Sequence, residues 1–124
     1  MSEMETLCER KGVAITSVWG AAKNPERVTW AAQNWRVVLK FQGRQYSLDF
    51  FGGSGVSTPC AADVLGSLLA DSYCSEMSFE EFVDEMGYSD HAEAKEIHNR
   101  THKIRYRTVK LLGDSFEEFC EATH

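Results

Sequence analysis

Between Asn34 and Phe51 the chain reads NWRVVLKFQGRQYSLDFF, two period-two runs on either side of Gln42-Gly43. Trp35, Val37, Leu39 and Phe41 share one face of the first run, with Arg36, Lys40 and Gln42 on the other. In the second run Tyr46, Leu48 and Phe50 alternate with Gln45, Ser47 and Asp49. Two such runs joined by a two-residue, glycine-containing connection specify an antiparallel hairpin. Its inward face is apolar and largely aromatic, and a hairpin alone does not bury such a face. A covering layer must come from elsewhere in the chain.

The segment before the hairpin continues the β pattern. Val13, Ile15, Ser17 and Trp19 alternate with Ala14, Thr16 and Val18, Asn24-Pro25 marks a turn, and Val28, Trp30 and Ala32 read as a further strand. Residues 2–11 read as a weak helix, with Ser2 as cap and Met4, Leu7 and Cys8 on one face. Helices follow the hairpin. Thr58 before Pro59 places an N-cap ahead of a proline at the first helical position, and Val64, Leu65, Leu68 and Leu69 form its apolar stripe. Ser78-x-x-Glu81 reads as a capping box, with Phe79, Phe82, Val83 and Met86 inward and Gly87 as the stop. A long helix is expected from about Asp90 to Leu112, its core stripe Ala94, Ile97, Thr101, Ile104, Thr108 and Leu111, ended by Gly113. Ser115 opens a last short helix with Phe116, Phe119 and Cys120 on one side. The word SFEEF occurs at Ser78–Phe82 and again at Ser115–Phe119, and it reads as one capping solution used twice rather than as a repeat. Strands followed by helices predict an α+β fold: an N-terminal antiparallel sheet of about three strands packed against C-terminal helices.

A chain of 124 residues, 43% hydrophobic, is sized for a single domain spanning 1–124. Cys8, Cys60, Cys74 and Cys120 include no C-x-x-C pair, the first residues carry no apolar signal region, and no apolar run approaches about 20 residues. These features predict a cytoplasmic, non-membrane protein with reduced thiols, disulfides being the alternative.

Motifs for chemistry fall short. Gly52, Gly53 and Gly55 suggest a phosphate cradle, but no lysine follows before Lys95, and Thr58 stands where a dinucleotide fingerprint needs glycine. A flexible exit from the sheet accounts for them. His98 and His102 lie at i, i+4 spacing, able to share a metal, yet Asn99 replaces the glutamate a zincin requires and Arg100, Lys103 and Arg105 surround them. The alternative is two solvated residues flanking the core stripe. Cys60 at the second helical position is a candidate low-pKa thiol, with a half-buried structural role as the alternative. No G-x-S-x-G elbow is present, and the acids after Asp84 lack the EF-hand order. No cofactor and no enzymatic activity are expected.

Charge is the more informative layer. The net charge is −6. From Asp63 to Glu96 ten acids meet the single base Lys95. Arg100, Lys103, Arg105, Arg107 and Lys110 then place five bases in eleven residues, and Asp114, Glu117, Glu118 and Glu121 close the chain with four acids. One reading is intramolecular, with solvated faces pairing weakly. The other is an acidic surface formed by Asp71, Glu76, Glu80, Glu81, Asp84 and Glu85 that meets a basic partner. Glu80 with Asp84 and Glu81 with Glu85 are like-charge i, i+4 pairs, each costing a few tenths of a kcal/mol, roughly, in an isolated helix. A third reading gives the basic run, with Tyr106 interleaved, a nucleic-acid-binding or regulatory role. The outer sheet face, with Val38 and Phe51, leaves room for a homodimer contact.

The segments NWRVVLKFQGRQYSLDFFGGSG, TPCAADVLGSLLADSY and SFEEFVDEMGYSD resemble a group of small acidic proteins encoded by bacteriophages and prophages, over roughly Asn34 to Gly113. Several of these are anti-CRISPR inhibitors. The resemblance implies a non-enzymatic protein in the host bacterial cell that binds a CRISPR-Cas effector subunit at a basic nucleic-acid-binding surface and blocks target DNA. It transfers no catalytic residue.

Overall fold

The computed structural model describes residues 2–20, 34–51 and 59–123. The chain is α+β, with a three-stranded antiparallel sheet followed by helices. Its residues group into two compact units, Met1–Leu65 and Gly66–His124, the division falling inside one continuous helix.

In the first unit helix α1 spans Glu3–Lys11. Ser2 and Glu5 form a full capping box, the Ser2 hydroxyl accepting the Glu5 N–H at 3.1 Å and the Glu5 carboxylate accepting the Ser2 N–H at 3.4 Å. Gly12 ends the helix in the left-handed region, where glycine carries no Cβ penalty. Strands β1 (Ala14–Gly20), β2 (Asn34–Phe41) and β3 (Arg44–Phe51) follow in sheet order β1-β2-β3. The β2–β3 hairpin is in the expected register, Phe41 opposite Arg44 and Val37 opposite Leu48. Gln42 and Gly43 both have positive φ, 51° and 79°, as a type I′ turn requires. Val37, Leu39, Phe41, Tyr46 and Phe50 are buried, while Arg36 and Asp49, opposite one another on the other face, pair at 2.8 Å.

Strand β1 departs from strict alternation. A bulge sits between Ile15 and Ser17: Ile15 pairs with Leu39, Ser17 with Val38, and Val18 with Val37. One inserted residue shifts the phase of everything after it. The regular one-to-one pairing expected through Val13–Trp19 is therefore broken after Ile15. The Asn24-Pro25 turn, the Val28–Ala32 strand, the glycines at 52, 53 and 55, and the Thr58 cap all lie outside the described residues.

Helix α2 spans Ala61–Cys74, starting two residues later than Pro59 predicted. Asp63 accepts the Cys60 N–H at 3.2 Å, so Cys60 precedes the helix rather than occupying its first turn. The second unit continues with α3 (Phe79–Met86), α4 (His91–Leu112), a 3-10 turn at Gly113–Ser115, and α5 (Phe116–Glu121). Asp90 caps α4 by accepting the N–H groups of Ala92 and Glu93. Of the expected α4 stripe Ala94, Thr101, Thr108 and Leu111 are buried and Ile97 and Ile104 half-buried, while His98 and Leu112 are buried beside it. Two of its members are threonines, which are tolerated because their hydroxyls donate back into the helix, Thr101 to the His98 carbonyl and Thr108 to the Ile104 carbonyl.

The two SFEEF words adopt different structures. Ser78 is extended and its hydroxyl accepts the Glu81 N–H at 3.1 Å. Ser115 is already helical and makes no side-chain cap. The chain enters α5 from a 3-10 turn, so the Phe116 N–H finds the Gly113 carbonyl instead of a serine. The same five letters solve the orphan-donor problem in two ways because the preceding residue is extended in one case and helical in the other.

Candidate interaction site

The acidic helix α3 is built by its neighbours in the second unit. Ser78 opens it, and Gly87, with φ at 71°, closes it with its N–H on the Val83 carbonyl. Phe82 is buried and stacks on His98 of α4, ring centroids 4.9 Å apart and 31° between planes. Tyr88 flanks Phe82 at 5.7 Å and His102 meets His98 edge-on at 4.9 Å, giving a four-ring ladder. His98 Nε2 donates to the Met77 carbonyl at 2.9 Å, fixing the residue just before the α3 cap. A carbonyl only accepts, so the Nε2 nitrogen carries the proton. His98 is thus a core residue at 7% exposure, neither solvated nor free to face a metal with both nitrogens. Among the described residues no group of three or more His, Cys, Asp or Glu is placed to hold a metal ion.

Burial of one face turns the carboxylates of α3 outward. Glu80, Glu81, Asp84 and Glu85 are all exposed. Phe79 and Val83 are half-buried, and Met86, expected inward, is exposed because α3 ends there at the lip of a groove. Among the described residues none of the four acids has an ion-pair partner within 4 Å. Lys95, the lone base of the acidic stretch, sits instead over the Phe79 ring at 5.0 Å as a cation–π contact. Glu80 and Glu81 lie in the first turn, where the helix dipole favours them, but Asp84 and Glu85 lie near its negative end, and no basic residue occupies the last turn.

The other two predicted site residues behave differently. Glu76 pairs with Arg105 at 3.4 Å. Asp71 is half-buried, and desolvation pushes its carboxyl pKa above the ordinary value, opposed by the Arg100 guanidinium. The basic run therefore supplies an ion-pair partner for Glu76 and a favourable charge near Asp71, but among the described residues leaves the α3 carboxylates unmatched. Two of the six residues are drawn into the molecule's own electrostatics and four form the open face.

Beside this face lies a groove of about 790 Å³ between α2, the Met77 loop, the end of α3 and α5. Leu69, Met77, Met86 and Phe116 line it, and Glu76, Glu85 and Glu117 are at its edge. Sequence periodicity missed it, since it arises where three helix ends meet. Cys74 and Cys120 also line it. Burial raises both thiols, reinforced by Asp71 and Glu85 at Cys74 and by Glu117 and Glu76 at Cys120, where Arg105 opposes. All four cysteines are free, and Cys60 is exposed rather than half-buried. Cys8 is buried, which with the nearby Cys60 pushes its pKa up to about 11.

Compared with known protein families, curated proteins and solved structures, the chain matches none. Among the described residues no helix is long and apolar enough to cross a membrane.

Proposed function

We propose that the protein is a non-enzymatic binding inhibitor whose α3 carboxylates dock on a basic nucleic-acid-binding surface of a bacterial defence complex, a CRISPR-Cas effector subunit being the partner the sequence resemblance implies. The observation that carries the reading is the lack of ion pairs, among the described residues, at Glu80, Glu81, Asp84 and Glu85 in a chain that has six bases on the adjacent helix. Carboxylates repeated along a helix at about 5–6 Å present charge at a spacing comparable to that of phosphates along a strand. They speed encounter with a cationic surface and make association salt-dependent.

The test is reversal of all four residues to lysine, followed by effector pull-down and a target-DNA-binding assay at about 150 mM salt. The reading expects capture and inhibition to be lost. Retention of both removes it. A second reading, direct nucleic-acid binding by α4, draws support from the exposure of Arg100, Lys103, Tyr106, Arg107 and Lys110. A gel shift with random DNA and RNA at the same salt separates the two, since clear binding favours α4.

A further inference from the structure

Four large hydrophobic side chains are exposed among the described residues: Tyr73 at 58%, Met86 at 45%, Tyr106 at 68% and Val109 at 38%. They fall into two patches of opposite charge. Tyr73 and Met86 line the groove, whose edge carries Glu76, Glu85 and Glu117. Tyr106 and Val109 lie one helical turn apart on α4, between Lys103 and Lys110 at i−3 and i+4 from Tyr106. Arg105, one position earlier and about 100° round the helix, turns toward Glu76 of its own chain, while Tyr106 turns to solvent. Among the described residues neither Lys103 nor Lys110 has an ion pair.

We propose that the groove receives the Lys103–Lys110 face of α4 from a second copy of this chain. Tyr106 and Val109 would enter between Tyr73, Met86 and Phe116, and Lys103 and Lys110 would meet Glu85 and Glu117, the groove carboxylates without an ion-pair partner among the described residues. The match is apolar on apolar and cation on carboxylate, the arrangement that gives an interface both affinity and orientation. Donor face and acceptor groove are different surfaces, so the contact is heterologous, closing only if two copies exchange it reciprocally. The inference stands apart from the effector reading. The two share Glu85, so a basic partner seated on α3 competes with self-association.

Sedimentation of the full chain at about 50 mM salt, over micromolar to millimolar concentrations, reads the proposal directly. The mass should rise above 14.0 kDa with concentration and fall back in high salt. Tyr106→Glu, which spoils the donor, and Met86→Lys, which spoils the groove, should each weaken association about 30-fold, the effect of losing a central anchor. Both residues are exposed, so both variants should fold, as circular dichroism would show. Mixed together, the two variants still offer one intact groove and one intact donor face, and should form a one-to-one pair that cannot extend. A wild-type chain that stays monomeric throughout overturns the proposal. So does a variant that associates as well as wild type, or a mixture that fails to pair.

Discussion

Replacing His98 by phenylalanine isolates one bond that positions the acidic helix. The ring stays large enough to stack on Phe82, but the donor to the Met77 carbonyl is gone. At 2.9 Å this is a well-formed neutral hydrogen bond, contributing about 1 kcal/mol net. Leaving its carbonyl unpaired in a buried site costs about 1–3 kcal/mol, but Met77 is only half-buried and water can reach it, so the lower part of that range applies. The expected loss is therefore about 1.5 kcal/mol. For one cooperative transition of 124 residues the unfolding entropy is about 0.26 kcal/mol/K, which converts that loss to a fall of about 6 °C in Tm. His98→Ala also forfeits the ring pair and leaves a cavity, adding about 2 kcal/mol or more. Thermal unfolding followed by circular dichroism measures both. A His98→Phe chain as stable as wild type would refute the argument that this donor holds the start of α3. An alanine variant no worse than phenylalanine would refute the stacking argument.

Other perturbations test different parts of the structure. Asp71 has a folded-state pKa raised by burial, so the folded chain holds its proton more tightly than the unfolded one and stability falls as pH rises through that pKa; Asp71→Asn should raise Tm at pH 7 and make no gain in acid, and a lower Tm at pH 7 would mean the attraction of Arg100 outweighs desolvation. Gln42 is a non-glycine residue at φ 51°, so Gln42→Asn should stabilise the hairpin by about 0.5 kcal/mol and Gln42→Val should destabilise it by about 1 kcal/mol or more, with urea midpoints giving the order. Native-state alkylation at neutral pH should modify exposed Cys60 first, Cys74 and Cys120 more slowly and Cys8 last, as peptide mass spectrometry would show; early labelling of Cys8 would contradict its burial.

Much of the architecture was legible in residues close together along the chain. The alternation on either side of Gln42-Gly43 named the hairpin and its inward face. Ser78 and Gly87 marked both ends of α3, and Asp90 and Gly113 those of α4. These signals work because a cap, a turn or a helix face is settled within about four residues, inside the reach of one hydrogen bond. The outward set of α3 carboxylates followed from the same periodicity, and so was legible too.

What the local pattern left open was decided by residues far apart in sequence. The register slip at Thr16 exists only in relation to β2. The second SFEEF lost its serine cap to the turn that precedes it. His98 looked like a surface partner of His102 until the Met77 carbonyl, 21 positions away, gave it a buried acceptor. Arg105 chose Glu76 and Lys95 chose the Phe79 ring, so the basic run neutralised the margin of the acidic surface and spared its centre. Charge order along a chain states how many ions there are of each sign. Which of them meet depends on distances of a few ångströms that only packing supplies, because Coulomb attraction in water falls to about 1 kcal/mol by 4 Å.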